Sequence, residues 1–140
     1  MSLVFLAVLI VLAWVDLRER RIPFEPVVFF LTVGLFWHAF SGDAVNAVQG
    51  ALIGLGIFGL QFWLSRGRWI GEGDVWLGMA MGAWLGWQGM LIAVYATYIG
   101  GGFIALVLLL CRVWKRGQQV PLVLFLALGG IAAVAVGWWS

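Results

Sequence analysis

Two short motifs hold the residues of this sequence that are best suited to chemistry. One begins at Asp16 and runs through a basic stretch to Pro23, and the other is a Gly-Glu-Gly-Asp run that ends at Asp74. Each aspartate lies where a long apolar run meets a short basic loop. A carboxylate at the edge of a bilayer costs free energy, so each aspartate is a candidate functional residue. Two of them in a short apolar chain predict a carboxylate pair.

A carboxylate pair can hydrolyse a peptide bond. The ionised carboxylate acts as a base on water, and the protonated one donates its proton to the carbonyl oxygen of the scissile bond. Two carboxylates a few ångströms apart cannot both ionise easily, so the pair holds one proton between them. This chemistry needs no covalent intermediate. We therefore expect Asp16 and Asp74 to be catalytic, and we expect no cofactor and no metal because the sequence has no cluster of metal ligands.

Each aspartate also has an ordinary structural interpretation. Asp74 could cap free N–H groups at the start of a helix, where the helix dipole favours a negative charge. Asp16 could form an ion pair with Arg20 or Arg21 at the membrane edge. Both interpretations stay open at the level of the sequence.

The residues before Asp74 are expected to support the site. Gly71 and Gly73 would give the backbone freedom to turn sharply into the next helix and would leave room for an extended substrate. Glu72 adjoins Asp74 and could attract a basic peptide.

The composition restricts the class of protein. The chain has 140 residues, of which 64% are hydrophobic and only 10% are charged, whereas soluble domains average about 25% charged residues. We expect an all-α, polytopic membrane protein with one domain over residues 1–140. The net charge of +2 comes without a basic stripe bearing interleaved aromatics, so nucleic acid is not an expected partner. A single cysteine, Cys111, excludes an intrachain disulfide.

Six apolar runs are candidates for membrane-spanning helices, which need roughly 17–25 residues each. They cover residues 2–16, 26–40, 44–64, 73–87, 89–111 and 120–139. The first run is short and could continue through Arg20. The boundary between the fourth and fifth runs is expected within residues 86–89, and the last helix is expected to start near Pro121, because proline suits the first turn.

The loop charges support this count. All eight basic residues fall in the first, third and fifth loops, which six spans place on one face; they are Arg18, Arg20, Arg21, Arg66, Arg68, Arg112, Lys115 and Arg116. The positive-inside rule makes that face cytoplasmic and puts both termini outside. Asp16 ends the first span and Asp74 begins the fourth, so both aspartates are predicted at the cytoplasmic edge.

Glycines recur at every fourth position in the third and fourth spans. They are Gly50 and Gly54 in the third, and Gly78, Gly82 and Gly86 in the fourth. Such small residues let helix backbones approach closely. Since Asp74 precedes Gly78 by one helical turn, the acid lies near a face that another helix can reach.

The two motifs together resemble the type IV prepilin peptidases. The stretch from Asp16 to Pro23 is similar to the family's first aspartate motif. The stretch Gly71-Glu72-Gly73-Asp74-Val75, continuing to residue 86, is similar to its second. The resemblance is clearest over residues 13–86. A lone Gly-x-Gly-Asp element, which presenilins share more distantly, would be weak, but its combination with an Asp-x6-Pro motif on six spans is specific.

The resemblance implies a membrane aspartic endopeptidase in a bacterial or archaeal plasma membrane. Members remove the short basic leader from prepilin or pseudopilin precursors at the cytoplasmic face, typically after a glycine and just before a hydrophobic helix. Asp16 and Asp74 match the two catalytic aspartates of the family. The implied partners are the precursor and the lipid bilayer, while the sequence does not set the oligomeric state.

Two positions depart from the family pattern. The family often has lysine where this chain has Trp76, and often has asparagine where this chain has Phe24. Many bacterial members also carry a cytoplasmic domain with two Cys-x-x-Cys motifs and methylate the new N-terminus. Since this sequence has one cysteine, N-methylation by this chain is not expected.

Two other classes of protein remain as alternatives. One is a small transporter or channel subunit whose two acids handle protons or a cation, as membrane acids can do. Transporters usually contain internal repeats, and no repeat is visible here. The other is an inactive scaffold that keeps the fold; the retention of both aspartates argues against it.

Overall fold

The computed structural model describes residues 2–19, 23–113 and 122–137. In these ranges the chain forms helices and no strands, as the sequence predicts; the helices are α1 (Ser2–Glu19), α2 (Phe24–Phe40), α3 (Ala44–Ser65), α4 (Glu72–Leu110) and α5 (Leu122–Ala135). Helix α2 begins at Phe24, two residues before the predicted start at Pro26. The helix can begin earlier because proline is tolerated within a first helical turn. The predicted start at Pro121 lies outside the described residues.

Helix α4 is broken at Gly86, inside the predicted boundary at residues 86–89. Gly86 has φ 69° and ψ 179°, a backbone conformation that disfavours any residue with a Cβ. The N–H of Trp87, which the break leaves without a helical partner, donates to the Asn46 side chain at 3.0 Å. Residues 72–85 and 87–110 are therefore two helical segments joined by a supported turn.

The contacts of α3 show that the chain reverses at this turn. Asn46 and Gln61 of α3 hydrogen-bond to Trp87 and Tyr98, respectively. Residue numbers rise together in these contacts, so residues 87–110 run parallel to α3. The contacts between α3 and residues 72–85 run in the opposite order, so these two segments are antiparallel.

The antiparallel contact is the glycine face that the sequence predicts. Gly50 lies against the backbone of Gly82 and Gly86, and Gly54 lies against the backbone of Gly78. A Cβ at either α3 position would meet main-chain atoms that no side-chain rotation can move. This interface consequently fixes α4 against α3 over the turns that follow Asp74.

An aromatic cluster joins α1, α2 and α4. Trp84 is 1% exposed, and its ring stacks on Phe30 with centroids 5.1 Å apart. The Trp84 indole N–H donates to the Phe30 carbonyl at 2.7 Å, and Gly34 leaves the space that the indole occupies. Phe5 of α1 completes the cluster, 5.8 Å from the Phe30 ring.

Large apolar side chains also cover the outside of the helices. Phe40 of α2 is 88% exposed, and similarly exposed side chains include Leu3 of α1, Phe29 of α2, and Ile99, Phe103 and Leu110 of α4. Helices that are apolar on all sides are typical of membrane-embedded proteins. Helices α3 and α4 are long and apolar enough to cross a membrane, while α2 and α5 are shorter apolar helices.

Candidate active site

The two aspartates lie at the same end of the helical bundle. Asp16 lies in the last turn of α1, and Asp74 is the third residue of α4. Phe5 of α1 packs on Trp84 at the far end of the segment 72–85, so α1 and this segment are antiparallel. The carboxylates are half-buried and lie close enough to interact electrostatically. The structure thus brings together two acids that are far apart in the sequence.

Asp74 also caps its own helix. The Gly71 N–H donates to Oδ2 of Asp74 at 3.0 Å, and the Asp74 N–H donates to the Gly71 carbonyl at 3.2 Å. The first of these bonds is one of the two bonds of a capping box, the one in which the side chain at position N3 accepts from the N–H of the N-cap residue. The cap uses one carboxylate oxygen. Within the described part of the chain, the other oxygen accepts no hydrogen bond, so the same carboxylate can be held by the cap and still face a reactant.

Asp16 has fewer restraints. Among residues 2–19, 23–113 and 122–137 its carboxylate has neither a hydrogen bond nor an ion pair. The nearest cation along α1, Arg18, lies over the Trp14 ring instead, 5.1 Å from its centroid. The alternative partners of Asp16, Arg20 and Arg21, lie outside the described residues.

The backbone of the second motif does not use the conformational freedom of its glycines. Gly71 has φ −82° and ψ 164°, an extended conformation open to any residue, and Gly73 lies in the first turn of α4. The expectation that they supply an unusual turn is therefore wrong. Gly71 instead contributes its N–H to Asp74, and its Cα carries no side chain beside that carboxylate. Glu72 begins the helix and is exposed.

The first motif leads into an aromatic contact. Pro23, with φ −65° and ψ 127°, precedes α2 as its N-cap residue. The ring of the next residue, Phe24, meets the ring of Trp76 edge to face, with centroids 5.2 Å apart and planes at 86°. These are the two positions at which the sequence departs from the family pattern. No sequence signal predicted that they would touch.

Exposed residues of both charges lie at this end of the bundle; the described basic ones include Arg18, Arg66 and Arg68. Glu19 ends α1, Glu25 lies in the first turn of α2, and Glu72 begins α4; all three are exposed. Among the described residues, no group of three His, Cys, Asp or Glu side chains could hold a metal ion. The chemistry that this arrangement offers is proton transfer between two neighbouring carboxylates and a small molecule, such as water, held between them.

Comparison with known proteins gives the family. The type IV leader peptidase family matches residues 3–106. The prepilin leader peptidase/N-methyltransferase of Aeromonas hydrophila is 30% identical over 136 residues, which cover 93% of this chain and 47% of that protein. The protein of the same name from Legionella pneumophila is 30% identical over 147 residues, covering 97% of this chain and 50% of its own.

A third relative of that name, from Escherichia coli (strain K12), is 31% identical over 96 residues, 64% of this chain and 43% of that protein. No solved structure matches the chain. The chain spans about half the length of these curated relatives. The family match covers both aspartates and the helices that carry them, and by this match the chain belongs to the type IV leader peptidase family.

Proposed function

We propose that this chain is a membrane aspartic endopeptidase that removes the short basic leader from prepilin or pseudopilin precursors. The observation that carries the proposal is the placement of Asp16 and Asp74 at the same end of the bundle, within range of electrostatic interaction. Family membership and the printed names of the relatives support a peptidase over a transporter or a scaffold. The methyltransferase activity in those names is not part of the proposal.

The proposed mechanism gives each carboxylate a role set by its surroundings. Water binds between the two carboxylates, which share one proton. The ionised member removes a proton from the water, and the protonated member donates to the carbonyl oxygen of the scissile bond. The neutral gem-diol intermediate then collapses: the carboxyl that took the proton from water gives it to the leaving nitrogen, and the other carboxylate takes back a hydroxyl proton. The products are the carboxyl end of the leader and the amine of the new N-terminus, and the pair again holds one proton. Either aspartate can start as the base, since coupled acids titrate as a pair.

The proposed membrane arrangement has six spans, with α4 contributing two on either side of Gly86. Helices α1 and α3 and the segment 87–110 then end on the same face as Asp16 and Asp74. The positive-inside rule makes this face cytoplasmic, because the basic residues lie in the last turn of α1 or after the ends of those three helices. Both termini lie on the other side, and residues 1–140 act as one transmembrane peptidase domain.

Individual acids on this face, set among its basic residues, offer contacts to a basic leader. A basic leader is attracted by the exposed Glu19, Glu25 and Glu72, with Glu72 nearest in sequence to Asp74. Gly71 and Gly73 leave the approach to Asp74 free of side chains. The hydrophobic helix of the precursor lies in the bilayer beside the outer faces of the bundle.

The test is cleavage of a prepilin-like substrate by purified protein in detergent. The substrate carries a basic leader, a glycine and then a hydrophobic helix, and the variants are Asp16→Asn and Asp74→Asn. We expect the parent to cut after the glycine and each variant to lose roughly 100-fold or more in rate, as for removal of a general acid or base.

A matched control is Asp43→Asn. Asp43 is exposed, precedes α3 at the other end of the bundle and accepts a hydrogen bond from Asn46 that an asparagine can also accept. We expect this variant to cut at the parent rate. Near-normal cutting by either Asp16→Asn or Asp74→Asn would refute the pair mechanism. Failure of the folded parent to cut several such substrates would refute the peptidase proposal.

A further inference from the structure

An apolar groove lies between α3 and the start of the segment 87–110. The residues that line it are Gln49, Leu52 and Ile53 of α3 and Trp87. Trp87 directly follows the break at Gly86, so the groove lies near the end of the bundle away from Asp74. Its volume of about 590 Å³ falls within the range of roughly 300–1,000 Å³ that is typical of small-molecule sites. We call it the α3 groove.

Backbone contacts hold the two walls of the α3 groove together. The Trp87 N–H donates to the Asn46 side chain at 3.0 Å. Gly50, which follows Gln49 in α3, lies against the backbone of Gly86. Because both walls are held in this way, the groove keeps its shape before a ligand binds, and binding then needs little reorganisation of the protein.

Two side chains that line the α3 groove carry polar groups without a partner. Within the described ranges of the chain, the Gln49 amide neither donates nor accepts a hydrogen bond, and the Trp87 indole N–H donates none. The other glutamine of α3, Gln61, is paired with the Tyr98 hydroxyl. A polar group in hydrocarbon is costly unless it is hydrogen-bonded. Gln49 and Trp87 therefore favour a ligand that brings hydrogen-bond acceptors into the groove.

The depth of Gln49 in the proposed membrane arrangement matches the ester groups of a lipid. Helix α3 has 22 residues and is about 33 Å long, close to the hydrocarbon thickness of about 30 Å. Gln49 lies about 7.5 Å along the axis from Ala44, the first residue of α3. Since the Cα–Cβ bonds of a helix tilt toward its N-terminus, the Gln49 amide reaches back toward the headgroups, while Leu52 and Ile53 lie deeper.

We propose that the α3 groove binds one glycerolipid of the leaflet opposite the cytoplasmic face. An acyl chain lies along Leu52 and Ile53, and an ester carbonyl accepts from the Gln49 amide. The same lipid offers a second ester carbonyl to the Trp87 indole N–H, which can only donate. This inference rests on the proposed six-span arrangement and does not depend on the catalytic role of the aspartates.

The experiment compares two lipids that differ only in their acceptors. They are dioleoylphosphatidylethanolamine, which has ester carbonyls, and its ether analogue with the same headgroup and chains. Native mass spectrometry of the purified chain in detergent gives the apparent dissociation constant of the first lipid bound. We expect the parent to bind the ester lipid roughly 2- to 10-fold more tightly than the ether lipid, as expected for one net hydrogen bond.

Two glutamine variants test which amide reads the ester. Gln49→Leu should lose most of the preference for the ester lipid, because it removes the unpaired donor. Gln61→Leu is the matched control, since it removes an amide of the same helix that Tyr98 already occupies. We expect the control to keep the preference of the parent.

Filling the groove tests where the lipid binds. Leu52 lines the groove and is 60% exposed, whereas Leu60 is 56% exposed on the same helix and lies outside the groove. We expect Leu52→Trp to weaken binding of the ester lipid several-fold, because the indole takes up the space of the acyl chain. Leu60→Trp should bind this lipid like the parent.

The outcomes decide the inference separately from the peptidase proposal. If the parent binds both lipids equally, or if the two Trp variants weaken binding equally, lipid binds only non-specifically around the bundle and the inference is wrong. A dimer of the chain that Leu52→Trp abolishes would assign the groove to a second copy and would also overturn it. If Leu52→Trp does not fold, the two glutamine variants decide the question. None of these measurements uses peptide cleavage, so loss of either proposal leaves the other standing.

Discussion

Replacing Gly54 by alanine tests how the glycine interface positions Asp74. Gly54 of α3 lies against Gly78 of α4, and Gly78 follows Asp74 by one helical turn. A Cβ on Gly54 would lie 2.6 Å from the carbonyl carbon of Gly78, whereas ordinary contacts begin at 3.4 Å. The helices must separate locally by at least the difference, 3.4 − 2.6 = 0.8 Å, because neither backbone can rotate away.

The magnitude follows from that separation. Overpacking a tight contact costs about 1–3 kcal/mol, and the better helix propensity of alanine returns up to about 1 kcal/mol. We expect Gly54→Ala to destabilise the protein by about 1–2 kcal/mol. A displacement approaching 1 Å at a catalytic group can cost up to roughly 100-fold in rate. Activity should therefore fall by more than the loss of folded protein explains.

Gly56→Ala is the matched control for this prediction. Gly56 lies on the same helix, and a Cβ there would meet no atom within 4 Å. The two variants share the change in helix propensity and differ only in the contact. Thermal unfolding in detergent gives the stability of each, and the cleavage rate per folded molecule gives the effect on the site. A Gly54→Ala protein as stable and as active as Gly56→Ala would show that this interface does not position Asp74.

Two further predictions concern backbone groups of α4, one at its start and one at its break. Asp74→Ala should unfold more easily than Asp74→Asn by about 1 kcal/mol, since the asparagine can still accept the Gly71 N–H; equal melting temperatures would contradict the cap. Gly86→Ala should cost about 1–2 kcal/mol from its positive φ alone, and Asn46→Ala about 1–3 kcal/mol from the unpaired N–H that follows the break. Gly100→Ala is the control for the Gly86 and Asn46 variants, because a Cβ at Gly100 would meet no atom within 4 Å. If Gly86→Ala and Asn46→Ala lose no more stability than Gly100→Ala, the turn at Gly86 is not supported as described.

The helices could be predicted from the sequence because the signal is strong. Long apolar runs bounded by glycine, proline and short charged loops predicted most helix ends within two or three residues. The break predicted within residues 86–89 is confirmed at Gly86. The sequence has a glycine at each end of that range, Gly86 and Gly89. Asn46, which supports this break, could not be predicted, because it is distant in sequence and has no motif of its own.

The sequence predicted that both aspartates lie at the same end of the bundle, but it did not predict how each carboxylate is held; their catalytic role stays a prediction. Asp16 and Asp74 were predicted at one membrane edge because the basic loops alternate, and the antiparallel packing of α1 on residues 72–85 puts both at the same end of the bundle. The Gly71 hydrogen bond to Asp74 has a local signal, an acid at the third helical position, which fits the cap interpretation. The contact of Phe24 with Trp76 depends on the packing of α2 against α4, which no local pattern encodes.

The two interpretations of Asp74, a helix cap and one member of an acid pair, turn out to be compatible. The cap occupies Oδ2 and fixes the carboxylate relative to the α4 backbone. The glycine interface in turn fixes that backbone relative to α3. Asp16, which has no such restraint among the described residues, is the member that can adjust to a substrate. A pair with one rigid and one adjustable carboxylate can admit a peptide between its members and still hold the water in a defined position, because only one acid has to move.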